Sequence, residues 1–227
     1  MARELAPGRR QSLLRATCAG FPVERPLTAV AARTVSLLAA LLAMAIGAHP
    51  AASGGGNYTF DGGTRAERAQ VRDALDASLF DWSVVPEQIT IRIAPGLACS
   101  ARAGTIELDS RLLHAGRFGW GVIQHEYAHQ VDFFLLNDAM RTRLTAWLGG
   151  VSWWQTSSGL PHRALTSERF ASTLAWAYWP SLDNVLRPSS TSDEAGAVAP
   201  ADFRALLGGL LGVSVPSQRL VAAVHRS

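Results

Sequence analysis

Residues 124–132 read QHEYAHQVD. His125 and His129 stand four residues apart, and Glu126 directly follows the first. On an α-helix, at about 100° per residue, side chains four apart lie about 40° from each other, one turn along the same face. Two imidazoles at that spacing can reach one tetrahedral zinc ion. Glu126 falls about 100° from His125, on the flank of the pair. There a carboxylate does not crowd a metal, yet it can hold the metal's water and take its proton. The chemistry is metal-assisted hydrolysis. It demands a helix to hold the pair, a third protein ligand from elsewhere, and a fourth position left to water.

The spacing predicts a helix over residues 119–136. Val122, Ile123, Tyr127, Val131, Phe134 and Leu135 spread over much of its surface, and a helix so apolar is buried. Two histidines and a glutamate inside it need a reason, because an unpaired buried charge is costly. Glu168 is the expected third ligand. It opens a second helix, predicted over residues 165–179, whose Phe170, Leu174, Ala177 and Tyr178 form a core-facing side while Glu168 points elsewhere. A helix packed across the first brings that carboxylate to the metal from the opposite direction. The competing reading is an acidic residue complementing the dipole of its own first turn.

Asp132 is a rival ligand, about 20° from His125 on the wheel. It is short and a turn beyond His129, so it better suits a hydrogen bond that fixes the His129 tautomer, or a solvated or capping role. His162, in the loop before the second helix, is a further rival, an oxyanion donor, or a surface residue. Tyr178 is the other candidate for the oxyanion; Tyr127 points off the metal face and is expected in the core. Cys99 is a poor ligand in an exported chain.

The flanking elements follow from pattern. TRAERAQVRDALDASLFDW (64–82) reads as a helix with a Thr64/Glu67 capping box and a Val71, Leu75, Leu79 stripe. QITIRIAPG alternates Ile89, Ile91 and Ile93 and reads as a strand ended by Pro95-Gly96. GTIELDS is a second strand and RLLHAG a turn or single helical turn. AMRTRLTAWL is a helix capped by Asn137 or Asp138 and stopped at Gly149-Gly150; the second site helix is capped by Thr166 or Ser167 and halted by Pro180; Pro200 opens a last helix. SGGGNYTFDGGT reads as a flexible entry, VSWWQ as a Trp-rich loop leaning into the core, and residues 189–200 as a mobile loop. The fold expected is one α+β domain over residues 54–227: a small sheet packed on the active-site helix, with a mostly helical C-terminal part.

All 21 basic residues are arginine, and six of them lie within residues 1–33. The other 15 face 16 acidic residues, so from residue 54 onward the chain is near −1. Nucleic-acid binding needs clustered cations on the folded domain, and none is evident. TVSLLAALLAMAIGA (34–48) is apolar and uncharged, with Arg33 before it and HPAASGGG after it. That suits the core of a secretory signal in a leader of residues 1–53. The chain is therefore expected to be extracytoplasmic and secreted; the alternative is a membrane anchor formed by 34–48. Removal of the leader takes Cys18 with it and leaves Cys99 as a single thiol.

HEYAH resembles the H-E-x-x-H of the gluzincin metallopeptidases, the thermolysin-like and aminopeptidase-like clan. SERFA is similar to the N-E-G-F-A segment of the aminopeptidase families, whose glutamate is the third zinc ligand. The resemblance implies a zincin-like fold, Zn2+ as cofactor, His125, His129 and Glu168 as ligands, Glu126 as general base, and a peptide or protein substrate. The motifs cover nine or ten residues. The stretch between them is longer than in thermolysin or the aminopeptidases, no G-x-M-E-N segment is present, and the chain is shorter, so a compact single-domain member is implied. Such members place a strand before the active helix whose edge pairs with extended substrate, and GTIELDS stands there; it can equally be an ordinary sheet strand. The function implied is a secreted zinc-dependent peptidase. The alternative is an exported, non-catalytic zinc-binding or cell-surface interaction module, against which the retained Glu126 argues.

Overall fold

The computed structural model describes residues 55–154 and 160–212. The predicted leader, with Cys18 and the 34–48 run, lies outside the described residues. Among the described residues no helix is long and apolar enough to cross a membrane.

A four-stranded mixed sheet in the order β1-β2-β4-β3 forms one layer. β2 (Ile89–Ala94) and β4 (Thr105–Asp109) match the sequence reading. Ile89, Ile91, Ile93, Ile106 and Leu108 turn inward and are buried, as period-2 alternation requires. The opposite face carries Arg92, ion-paired to Asp61 and Glu107, and Arg102, paired to the same Glu107. β1 (Tyr58–Gly62) lies in the segment expected to be a flexible entry; it pairs parallel to β2. β3 (Ser100–Arg102) is three residues long and antiparallel to β4. β4 is therefore interior, with β2 on one side and β3 on the other. Of the two readings of GTIELDS, the ordinary sheet strand therefore holds, and the edge strand beside the active helix is β3.

α1 (Arg65–Asp76) starts with the predicted capping box. The Glu67 N–H donates to Thr64 Oγ1 at 3.2 Å, and the Glu67 carboxylate accepts the Thr64 N–H at 2.6 Å. The helix stops at Asp76, so Leu79 falls out of the stripe and is 43% exposed. α2 (Ser110–Leu113) is the expected single turn after β4. α3 (Trp120–Leu135) follows, buried from Ile123 through Asp132. Its sheet-facing side carries Tyr127, whose ring meets Trp82 and Tyr58. It also carries Gln130, which accepts the Gly104 N–H at 2.9 Å and donates to Arg102 O at 3.0 Å. These two bonds lash the helix to the β3–β4 hairpin. On the α1 side, Gln124 donates to Ala74 O at 2.7 Å.

α4 (Asp138–Leu148) is capped by Asn137, whose Oδ1 accepts the Met140 N–H, and it ends at Gly149 with φ 71°. α5 (Thr166–Tyr178) packs against α3. Its cap differs from expectation: Leu165 holds the N-cap position, and Thr166 Oγ1 instead donates to Gly149 O at 2.9 Å. α6 (Pro200–Leu211) begins at Pro200 as read and packs Phe203 on Phe170 of α5. The 189–200 segment is not loose. Asp193 accepts from the backbone N–H groups of Ser189 and Ser190 at 2.7 and 3.0 Å and from both hydroxyls, while Ala195 and Val198 are buried. Cys99 is buried in the core. It is not among the residues of the metal cluster, which removes it as a ligand.

Candidate metal centre

α3 presents His125 and His129 one turn apart, and α5 brings Glu168 in its first turn across to them. The three residues are buried, and one ligand atom from each lies within 4.8 Å of the others. The two Nε2 atoms are 3.2 Å apart, and Glu168 Oε2 is 3.2 Å from that of His125 and 3.4 Å from that of His129. Ligands held about 2.0–2.1 Å from zinc at tetrahedral angles are about 3.3 Å from one another. The three separations fit that spacing without rearrangement. Two imidazole nitrogens and a carboxylate oxygen are also a donor set zinc accepts. His125, His129 and Glu168 thus form a compact site arranged to chelate a single metal ion.

Glu126 is 1% exposed, and neither carboxylate oxygen has a hydrogen-bond partner. It sits on the flank of the pair, as the wheel predicts. His162, in the turn before α5, reaches the site while its side chain stays 37% exposed. Its Nε2 is 2.8 Å from Glu168 Oε2 and its ring stacks over His125 at 6.0 Å. Its Nδ1 contacts Glu194 Oε1 at 2.7 Å. A cavity of about 360 Å³ opens against His162, Ser172 and Glu194, between Val185, Leu186 and the side chains of Arg163 and Arg187.

Two residues stand differently from their sequence readings. Asp132 is fully buried and does not bond His129. Its carboxylate accepts from Arg141 Nε and Trp153 Nε1, both at 2.9 Å, while His129 Nδ1 has no hydrogen-bond partner. Asp132 ties α3 to α4 and to the Trp loop. Tyr178 is ten residues beyond Glu168, about 15 Å along the same helix. Its ring packs edge-on against Phe80 at 5.0 Å, and burial pushes its hydroxyl up to about 12. The structure does not bring it to the metal site.

Two participants were not anticipated. Ser172 Oγ lies 3.1 Å from His125 Nδ1 and donates to Glu194 Oε2 at 2.9 Å. Ser172 is four residues after Glu168, so the helical period that led from His125 to His129 leads also from Glu168 to it. Nothing in TSDEAG marks Glu194; only the path of the chain delivers it.

Charge at the centre is shared. Burial works to raise the Glu168 carboxyl, but the His129 charge and the His125, His129 and His162 rings outweigh it and hold the group well below the usual carboxylate range. Burial works to lower His129, and Glu168, Glu126 and Asp132 reverse it, so His129 is raised. His162 is likewise driven up to about 10 against its burial, by the Glu168 and Glu194 carboxylates. Glu126 is raised, chiefly by burial, with the histidine charges opposing. The carboxylates call for positive charge, which a divalent cation supplies from one point.

No family model, no curated protein and no solved structure matches this chain. What the geometry establishes is an H-E-x-x-H helix completed by a glutamate from a second helix, consistent with a gluzincin-type zinc-dependent hydrolase.

Proposed function

We propose that this chain is an exported zinc-dependent peptidase that hydrolyses peptide bonds in peptide or protein substrates. The observation that carries it is the trio of 3.2, 3.2 and 3.4 Å separations among His125 Nε2, His129 Nε2 and Glu168 Oε2, with a buried, unbonded Glu126 carboxylate beside them. Zinc held by the three residues supplies Lewis acidity for a carbonyl and eases ionisation of water. Glu126 accepts the proton of the attacking water and delivers it to the leaving amine. A carboxyl whose affinity for protons is raised by burial is suited to both transfers. His162 faces the centre with Nε2 while Glu194 holds Nδ1, so its ring is placed to donate to the oxyanion of the tetrahedral intermediate.

Extended substrate is supported by two features. β3 offers a strand edge beside α3, a general means of holding a peptide backbone. Beyond His129 a half-buried aromatic surface begins, with Phe133 6.3 Å from the histidine ring and Trp154 stacked on Phe133 at 5.5 Å. Export rests on the basic and apolar N-terminal segment.

The test is metal analysis of the purified protein, with cleavage of casein and of a peptide library by wild type and by Glu126→Gln. One equivalent of zinc in both proteins, with cleavage by wild type alone, is expected. Zinc in both with cleavage by neither identifies a non-catalytic zinc module and sinks the peptidase reading.

A further inference from the structure

We propose that Glu194 is a positioning residue whose single carboxylate sets two rings of the metal centre at once, His125 through Ser172 and His162 directly. The inference rests on reading His125, His129 and Glu168 as the metal ligands.

The argument is a count of protons. The Ser172 hydroxyl has one, and it is donated to Glu194 Oε2 at 2.9 Å. Its oxygen is then left with lone pairs only, and the neighbour at 3.1 Å, His125 Nδ1, must be the donor. In a neutral imidazole, the form that binds a cation, a proton on Nδ1 leaves Nε2 bare, and Nε2 is the atom aimed at Glu168 and His129. The carboxylate, acting through one hydroxyl, thus selects the tautomer of His125 that can bind a cation. The other oxygen, Oε1, meets His162 Nδ1 at 2.7 Å and turns that ring's Nε2 toward Glu168. Partners behind a ligating imidazole orient it and raise its basicity. Here one group serves a ligand and its neighbour together.

Glu194 can act this way because its loop is held. Asp193 gathers the N–H and hydroxyl groups of Ser189 and Ser190. At Gly196 a side chain would collide with the Ser190 carbonyl. The carboxylate is itself mostly withdrawn from solvent, at 24% exposure. His129 has no such support: its Nδ1 is without a hydrogen-bond partner. The metal's two imidazoles are therefore unequal, and the loop acts on one of them.

The experiment is a double-mutant cycle on zinc affinity, read by competition with a chromophoric chelator, so it requires no peptide cleavage. Glu194→Ala and Ser172→Ala should each weaken zinc binding about tenfold, the lower end for groups that orient a ligand. The double variant should fall no further, because both substitutions cut the same path. Glu194→Gln, which keeps the packing, should weaken binding in the same direction, and circular dichroism of the metal-free variants should match wild type. In zinc-saturated protein, the kcat losses of Glu194→Ala and His162→Ala should likewise fail to multiply. Wild-type zinc affinity in both Glu194 variants overturns the proposal, as does a double variant whose loss is the product of the single losses. A wild-type chain that binds no zinc overturns the metal reading along with it; zinc binding by wild type with no effect at Glu194 overturns this inference alone.

Discussion

Glu126 and Asp132 are both buried carboxylates on α3, and their partners separate their roles. Glu126 has none, and an unsatisfied carboxylate inside a protein persists only where something else makes use of it. Glu126→Gln keeps the volume and removes the base. Peptide hydrolysis should drop by roughly 10²–10⁴-fold, the span general bases contribute, with zinc content unchanged by atomic absorption. Asp132 has two partners, Arg141 and Trp153. Asp132→Ala leaves a largely buried guanidinium with only the exposed carboxylate of Asp138 as counter-charge, a loss on the order of 3 kcal/mol. Urea unfolding of the metal-free protein should show it, and a loss below about 0.5 kcal/mol would mean that solvent reaches Arg141 freely.

At the scale of elements, the site depends on how closely α3, α5 and the 179–199 segment approach. Gly121 marks one contact: a side chain there would strike Asn184 Oδ1. Asn184 is itself buried, donating to Ala175 O and Trp179 O and accepting the Leu186 N–H. Alanine favours a helix over glycine by up to about 1 kcal/mol, whereas overpacking costs about 1–3 kcal/mol. Gly121→Ala should therefore destabilise by about 1 kcal/mol in urea titrations, with faster amide exchange at Asn184 and Leu186. A rise in stability would show that the segment yields easily. Asp193 reports on the same segment by pH. Backbone and side-chain hydrogen bonds from Ser189, with those from Ser190, lower it to about 2. A depressed carboxyl favours the folded loop above its unfolded value of about 3.9 and loses that contribution as pH falls toward 2. Carboxyl NMR should place its midpoint near 2; a midpoint near 4 would mean that the Asp193 turn does not form in solution.

For the whole molecule, a ligand that binds only the folded chain adds stability by mass action, about 2.7 kcal/mol at a hundred times its Kd. Zinc should raise the Tm above that in EDTA, and Glu168→Ala should abolish the difference. The gap should also narrow as the pH falls, beginning above the ordinary imidazole range because His129 is raised, since protons then compete with the metal for the rings. Local pattern was enough to read α1, β2, β4, α3, α4, α5 and α6, the Thr64 cap, and His125, Glu126, His129 and Glu168, because helical period, alternation and capping act within a few residues. The same rules overran α1 to residue 82 and placed a side-chain cap on α5, where Thr166 reaches Gly149 instead. They also missed what pairs across distance. β1 hides among glycines and is a strand only because β2 lies beside it; β3 is too short to show a period, yet it forms the sheet's edge beyond β4. Asp132 shares the metal face of the wheel, but Arg141 and Trp153 claim it. His162 and Glu194 carry no spacing signal and meet only because the segments before α5 and α6 converge on α3's metal face. A sequence determines which residues can bind a cation when they lie on one helix turn. Only the packed chain decides which distant carboxylates and rings complete the cage, since those contacts depend on where the chain returns.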